Sequence, residues 1–326
     1  MRAIVVDQRD GKIEGRLTEV AESDLPPHEV LVDVAYSSLN FKDGLSITGT
    51  GRIARKMPMV AGCDLAGTVV ESSSPEWKAG DQVVVNGWGL SETHWGGFAE
   101  RARVKPEWLV KLPQGIDPKR AMAIGTAGYT SMLCVMALEQ GGVVPGEREI
   151  VVTGAAGGVG SVAVAILSNL GYRVTASTGR SSAHEYLREL GASGFIDRAE
   201  LAQKGTPLQK ERWAGGVDAV GGQTLVTVLS QTVYGGAVAA CGLAGSSDLP
   251  GSVFPFILRN IALLGVDSVM ASRAKREVAW RRLATELPAE KLDRITSVVS
   301  MSEVPALASD IVNGKTRGRL VVDVRS

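Results

Sequence analysis

Residues 150–160 read IVVTGAAGGVG, and this stretch constrains the fold more than any other. Ile150-Val151-Val152-Thr153 is a short β-branched run, the pattern of a strand buried on both faces of a parallel sheet. It breaks at Gly154, and Gly157-Gly158-Val159-Gly160 opens an apolar, small-residue stretch that reads as a helix over 158–170. Strand, glycine turn and helix in that order make the arrangement that seats a dinucleotide pyrophosphate. Glycine has no Cβ, so the backbone can approach a phosphate closely. The first N–H groups of the helix then point at its charge. The glycines follow Gly154 at +3, +4 and +6, a variant spacing, and an ordinary tight strand-to-helix turn is the competing reading.

The chain on either side divides into two patterns. Before about residue 124, short strand candidates at 30–34, 66–71 and 81–85 are separated by dense turn signals such as Pro26-Pro27 and Ala79-Gly80-Asp81. Such spacing predicts a partly closed antiparallel barrel. Asp117-Pro118 reads as a helix start, Gly125-Thr126-Ala127-Gly128 interrupts it, and 129–138 resumes as an apolar helix. Beyond Ile150 strands alternate with helices: strands at 173–176, 194–197, 217–220, 235–240 and 260–267, a helix over 182–190 ended by Gly191, and a polar helical segment to about Lys210. This alternation predicts a parallel sheet. Helices are expected at 273–287 and 302–313, and a terminal strand at 318–324, lacking a local partner, is expected to return to the N-terminal barrel.

The 326 residues suffice for two domains. With 44% hydrophobic and 21% charged residues, a well-buried core follows and long disorder does not. A formal net charge of zero argues against a nucleic-acid partner or a membrane surface, both of which call for a basic field. Cys63, Cys134 and Cys241 lie far apart, without metal-ligand spacing, and read as buried free thiols of a reducing compartment. No leader precedes the strand-like Ala3-Ile4-Val5-Val6, and no run approaches a membrane span, so a cytoplasmic protein is expected.

The end of the second strand of the parallel sheet chooses between dinucleotides. An NAD site presents an acidic residue there to the ribose 2′-hydroxyl. Here the chain reads Ala176-Ser177-Thr178-Gly179-Arg180, with two hydroxyls and a guanidinium. An acid would repel a 2′-phosphate, whereas Arg180 can bind one through paired charge-assisted hydrogen bonds, so NADPH is the expected cofactor. The competing reading of Arg180 is a solvated loop cation.

The chain resembles the medium-chain dehydrogenase/reductase superfamily. Zinc-dependent members carry Gly-His-Glu after the early strands; the matching stretch here is Gly62-Cys63-Asp64-Leu65-Ala66-Gly67, without the histidine. The early cysteine ligand falls near Asn40, and the four-cysteine structural lobe is missing. Catalytic zinc needs three protein ligands, so no metal is expected. Closer likeness is to the zinc-free, quinone-oxidoreductase-like branch and its acryloyl-CoA reductase subfamily. It is carried by residues 37–43, 94–100, 125–128, 239–245 and 255–260. Relatives commonly have tyrosine where this chain has Phe41.

The resemblance implies an α/β protein with a Rossmann NADP-binding domain over 125–267 and a mainly β, GroES-like barrel catalytic domain over 1–124 and 268–326. It implies a homodimer, and reduction of the C=C bond of acryloyl-CoA by NADPH. Cofactor contacts are implied at Phe41, Ala156, Gly157, Gly158, Val159, Ser177, Thr178, Gly179, Arg180, Leu243 and Asn313. Negative charge developing on the thioester oxygen needs hydrogen-bond donors in place of zinc. Asn86, after the strand Val83-Val84-Val85, is one candidate, against a turn-forming role. Arg319 is the other, against an exposed strand-edge cation. Asn313 also reads as a helix cap, and Phe41 as a core aromatic.

Lys42 and Asp43 are expected to pair with each other. His28 is expected to be exposed, His184 has no acid-base partner in view, and His94 alone is placed near a cleft. Coenzyme A carries several phosphates, so a positive pocket rim is expected; Arg52, Arg55 and Lys56 form a local basic cluster in a loop, and a solvated surface run is the safer reading of it. Quinone reduction and a non-catalytic NADPH sensor are the competing functions.

Overall fold

Alternation of buried and half-buried residues starts the chain as strands, and the computed structural model describes all of it, residues 1–326. The hairpin β1 (Arg2–Arg9) and β2 (Lys12–Glu19) is followed by β3 (Val30–Leu39), α1 (Phe41–Thr48) and β4 (Met59–Val60). Then come β5 (Asp64–Ser72), β6 (Gln82–Asn86), β7 (Arg101–Val104), β8 (Val110–Lys111) and α2 (Pro118–Gln140). Gly125, with φ 53° and ψ −163°, breaks α2 at the interruption read from the sequence.

The parallel part comprises β9 (Glu149–Val152), α3 (Gly158–Asn169), β10 (Val174–Thr178), α4 (His184–Leu190), β11 (Ala192–Asp197) and α5 (Arg198–Leu201). It continues with β12 (Trp213–Asp218), α6 (Gly222–Gln231), β13 (Thr232–Ala240), α7 (Phe254–Arg259) and β14 (Ala262–Gly265). The chain ends with α8 (Arg273–Glu286), α9 (Ala289–Arg294), β15 (Thr296–Ser300), α10 (Val304–Val312) and β16 (Arg319–Asp323).

Two compact units result. The first holds Met1–Thr126, Val269–Ala284 and Ile295–Ser326; the second holds Ala127–Ser268 and Thr285–Arg294. The first contains a three-stranded sheet, β2-β1-β4, and a seven-stranded sheet running β15-β16-β3-β5-β6-β8, with β7 also on β3. All pairs are antiparallel except β15 with β16. Ile4, Val32, Leu65, Val85, Phe98 and Trp108 belong to its core. The second unit is a six-stranded parallel sheet in the order β11-β10-β9-β12-β13-β14. This is the doubly wound order with β9 as its first strand, which puts the nucleotide turn at the switch point.

Several expectations need correction. The polar helix to Lys210 is a single turn, α5, because Lys204-Gly205-Thr206-Pro207 cannot continue it. Strand β16 does return to β3, pairing Leu320 with Leu39, but it also has a local parallel partner, β15. Residues 285–294 pack in the second unit rather than with the barrel: Asn169 Nδ2 donates to Glu286 O at 3.0 Å and Lys291 Nζ to Leu190 O at 2.8 Å. Helix α2, at 23 residues, does reach membrane-span length, although it is mostly buried in the protein and broken at Gly125. Helix α6 is absent from the sequence reading. Its Thr224-Leu225-Val226-Thr227-Val228 run is β-branched and looks like strand, yet Leu225, Val228 and Leu229 bury one helical face.

Candidate active site

Two constellations carry chemistry, one in each unit. In the second unit, β9 ends in a turn at Thr153–Gly157, with Gly154 at φ 60°. A Cβ on Gly160 would sit 2.4 Å from Gly154 O and 2.5 Å from Ala155 Cα, so only glycine lets α3 begin this close to the turn. Ala156 is buried, Gly157, Gly158 and Val159 are half-exposed, and the free N–H groups of the α3 N-terminus lie on this segment. Ser131 Oγ holds the turn from behind, donating to Val159 O at 2.8 Å. Asp218, at the end of β12, accepts from Thr153 Oγ1 and from Gly221 N, both at 2.7 Å. Burial raises its pKa.

At the end of β10, Ser177 and Thr178 are buried, Gly179 is exposed and Arg180 is half-exposed. The Arg180 amide donates to Thr178 Oγ1 at 3.2 Å. The neighbouring acid, Asp197, faces Thr178 across β10–β11, but its carboxylate accepts Ala199 N at 2.8 Å as the cap of α5. A second cation reaches this corner: Arg198 Nε lies 2.6 Å from where a Gly179 Cβ would stand. A turn with free helix N-terminal amides, beside two guanidiniums and the buried hydroxyls of Ser177 and Thr178, fits a phosphorylated dinucleotide. Leu243, on the loop after β13, is exposed.

In the first unit the polar centre is buried under β3, β5 and β6. Register places Asp64 opposite Asn86. Asp64 accepts from Ser38 N (2.9 Å), Ser38 Oγ (2.7 Å), Asn40 Nδ2 (3.2 Å) and Thr126 N (2.8 Å). Arg319, 2% exposed, enters from β16. It donates to Ala123 O at 2.9 Å, Ser38 Oγ at 2.8 Å and Asn40 Oδ1 at 3.2 Å. It is therefore a buried organising cation, not a strand-edge one. Asn86 is buried at the end of β6 with its Nδ2 3.4 Å from Thr126 Oγ1. The buried Arg276 fixes the Asn86 backbone, donating to Asn86 O at 2.5 Å while lying over the Trp88 ring at 4.4 Å.

Asp43 is buried beside this centre. Its carboxylate accepts from Asn40 N and Cys63 N, both at 2.9 Å. Burial, with the Asp64 charge adding to it, pushes its pKa up to about 7. Lys42 pairs with Glu92 rather than Asp43, because Asp43 turns inward and Lys42 stays near solvent. Phe41, the first residue of α1, is 39% exposed. Asn313 caps the C-terminus of α10, with Nδ2 donating to Ser309 O at 2.8 Å. His28 is half-buried, in edge contact with His94 and Trp108, contrary to the exposed position expected. His184 stacks on Phe195 with centroids 4.2 Å apart. Cys63 and Cys134 are buried free thiols, and Cys241 is only half-buried.

Residues 26–114 match the alcohol dehydrogenase GroES-like domain family, and residues 158–285 match the zinc-binding dehydrogenase family. The chain is 53% identical over 324 residues to a probable acrylyl-CoA reductase AcuI of Escherichia coli K12, covering 99% of this chain and all of that one. It is 50% identical to the acrylyl-CoA reductase AcuI of Ruegeria pomeroyi, covering 99% of both. The chain belongs to the quinone-oxidoreductase-like medium-chain dehydrogenase/reductases. Among solved structures, the yhdH oxidoreductase of Salmonella enterica in complex with NADP superposes with a TM-score of 0.97 at 51% identity over 99% of both chains.

One matched family of this dehydrogenase/reductase is named for zinc, and the donor set does not fit that metal. The Cys63 thiol donates to Asp43 Oδ2 at 3.5 Å and accepts from Asn40 Nδ2 at 3.4 Å, so its proton is engaged within this centre. A zinc ligand must be thiolate. The Asn40 amide donates to Ser38 O, Ser38 Oγ and Asp64, and the Asp64 carboxylate is already surrounded by five donors, Ser37 Oγ among them.

Sequence reasoning overlooked Asp64, Ser38, Thr126, Arg276 and Arg198. The signal for Asp64 was in view: an acid inside the apolar strand run Asp64-Leu65-Ala66 has to find partners. Nothing local marks Arg276 among the many cations of α8.

Proposed function

We propose that the protein is an NADPH-dependent reductase that converts the C=C bond of acryloyl-CoA to propanoyl-CoA. The observation that carries this reading is half-identity along the entire chain to acrylyl-CoA reductases. The buried donor cluster around Asn86 and Arg319 accompanies it. The cofactor, when bound, supplies the hydride for the β-carbon of the substrate. The glycine turn would hold its pyrophosphate on the amides of Gly158 and Val159, the Gly157 N–H being taken by Gly154 O at 2.9 Å, and Ser177, Thr178, Arg180 and Arg198 would hold its 2′-phosphate.

In the first unit Asn86 would donate to the thioester oxygen as negative charge develops there. Arg319 acts one step back, keeping Ser38 and Asn40 in place and setting a permanent positive charge behind the oxygen. A preorganised donor in a water-poor pocket is the economical substitute for a Lewis acid. No side chain in the cluster is both acidic enough and exposed enough to hand a proton to the α-carbon, so that proton comes from solvent.

The assembly reading is a homodimer. Strand β14 has only β13 beside it, leaving one edge open. Ile257 and Leu258 on the preceding α7 are 68% and 57% exposed, an apolar surface suited to a second copy. Three free thiols suit the cytoplasm.

Isotope tracing tests the reaction. With 4-deuterated NADPH in ordinary water, mass spectrometry should find one deuterium in propanoyl-CoA, on C3. With ordinary NADPH in D2O the label should appear on C2. Deuterium from the cofactor at C2, or no propanoyl-CoA, refutes the reading.

A further inference from the structure

The run Arg52-Ile53-Ala54-Arg55-Lys56 is not simply a solvated surface. It forms one wall of a cavity of about 180 Å³ in the first unit. Val6, Gln8 and Ile13, from the β1–β2 hairpin, line it as well. Ser46, on the last turn of α1, also lines it, and there the oddity lies. Its side chain is 1% exposed, and its Oγ has no hydrogen-bond partner in the protein. A buried hydroxyl without a partner costs about 1–3 kcal/mol, a penalty that a ligand atom would relieve.

The three cations are equally uncommitted. Arg52, Arg55 and Lys56 are exposed and make no ion pair. The carboxylate of Glu92, whose backbone oxygen meets this loop, is occupied by Lys42. Yet the loop is held in place: Gly51 N donates to Leu45 O at 3.2 Å and Arg55 N to Glu92 O at 2.8 Å. Three unneutralised positive charges within five residues, on a pinned loop over a cavity with an unsatisfied hydroxyl, make an anion site. One water needs about 10–15 Å³ of such cavity volume, so the cavity has ample room for a phosphate group.

We propose that this cavity binds the phosphate-bearing nucleotide end of the acyl-CoA substrate, a deduction that rests on the acyl-CoA reading above. Ser46 and Phe41 are five residues apart on one helix, so the cavity lies about 8 Å along α1 from its N-terminal end. Asn40, of the buried donor cluster, caps that end. A pantetheine arm is longer than this step, and one acyl-CoA can therefore reach both. Ser46 Oγ and the Arg52 and Arg55 guanidiniums would hold phosphate oxygens, with Lys56 at the rim.

The test compares two thioesters of one acyl group. Wild-type enzyme, Ser46→Ala and the triple variant Arg52→Gln/Arg55→Gln/Lys56→Gln are assayed with acryloyl-CoA and with acryloyl-N-acetylcysteamine, which has no nucleotide. The triple variant should raise KM for acryloyl-CoA at least tenfold with kcat within twofold, so that its preference for the CoA thioester falls at least tenfold. Ser46→Ala should shift that preference the same way, by a few-fold. A preference that stays at the wild-type value overturns the assignment.

Calorimetry on enzyme saturated with NADP+ gives an independent arm. Adenosine 3′,5′-bisphosphate should bind wild type and not the triple variant. Equal binding to both overturns the proposal, as does a site that takes inorganic phosphate but not the bisphosphate. Should wild-type enzyme reduce no acyl-CoA, the reaction assignment fails, while the bisphosphate titration still decides whether the cavity is an anion site.

Discussion

Arg319 and Asn40 stand 279 positions apart in the chain, and the guanidinium Nη1 of the first donates to the side-chain oxygen of the second at 3.2 Å. That bond joins the last strand, β16, to the cap of α1, and Ser38 Oγ, 2.8 Å from Arg319 and 2.7 Å from Asp64, carries the link to β5. One buried cation therefore sets the geometry of the polar centre. Lysine carries the charge but lacks the planar fork. Arg319→Lys should lower stability by about 3 kcal/mol and cut kcat more than it changes KM for NADPH. Denaturant melts and initial-rate kinetics on the purified variant check both.

Asn86 has a different signature. Its backbone oxygen is gripped by Arg276, and its side chain meets only Thr126 Oγ1, at 3.4 Å. Asn86→Ala should leave the melting temperature nearly unchanged while lowering kcat/KM for acryloyl-CoA about 10²-fold, the effect of losing one oxyanion donor. A loss confined to KM for NADPH would place Asn86 elsewhere in the cycle.

How much of this was legible beforehand varied with range. The turn at 154–160 and the hydroxyl-plus-guanidinium corner at 177–180 could be read because their chemistry is local. Helix α6 was missed because its β-branched residues prefer strand, and only burial of Leu225, Val228 and Leu229 decides otherwise. Strand β15 was missed because it is short and rests only on β16. The partners of Asp64 come from β3, from the α1 cap and from Thr126. No pattern in a one-dimensional string brings those together.

Under the proposed function, cofactor choice is set at the end of β10. Arg180→Ala should weaken NADPH binding about 10- to 100-fold and leave NADH within twofold, because the lost bonds are charge-assisted ones to a phosphate that NADH lacks. Arg198→Ala should act in the same direction with a smaller factor. Fluorescence titration with both nucleotides reads this directly, and parallel losses for the two would contradict it.

Asp43 predicts a pH dependence. An acid whose pKa is about 7 folded and near 3.8 unfolded binds more protons in the folded state between those values. Stability therefore falls as pH rises through that window, and the cost is complete above about pH 7. His28 and His94 slope the other way near pH 6.5, since burial lowers both, so the difference between two proteins is the informative quantity. Asp43→Asn minus wild type should rise steadily from pH 4 to 7 and then level off. Melting temperatures over pH 4–8 measure it.

The most direct measurement of the central claim is the ratio of specificity constants, followed by NADPH absorbance, for acryloyl-CoA against crotonoyl-CoA and a simple quinone. The account predicts that acryloyl-CoA leads, with the quinone at least 100-fold behind. A quinone reduced as fast as the thioester, or NADPH bound without turnover of any of the three, would contradict it.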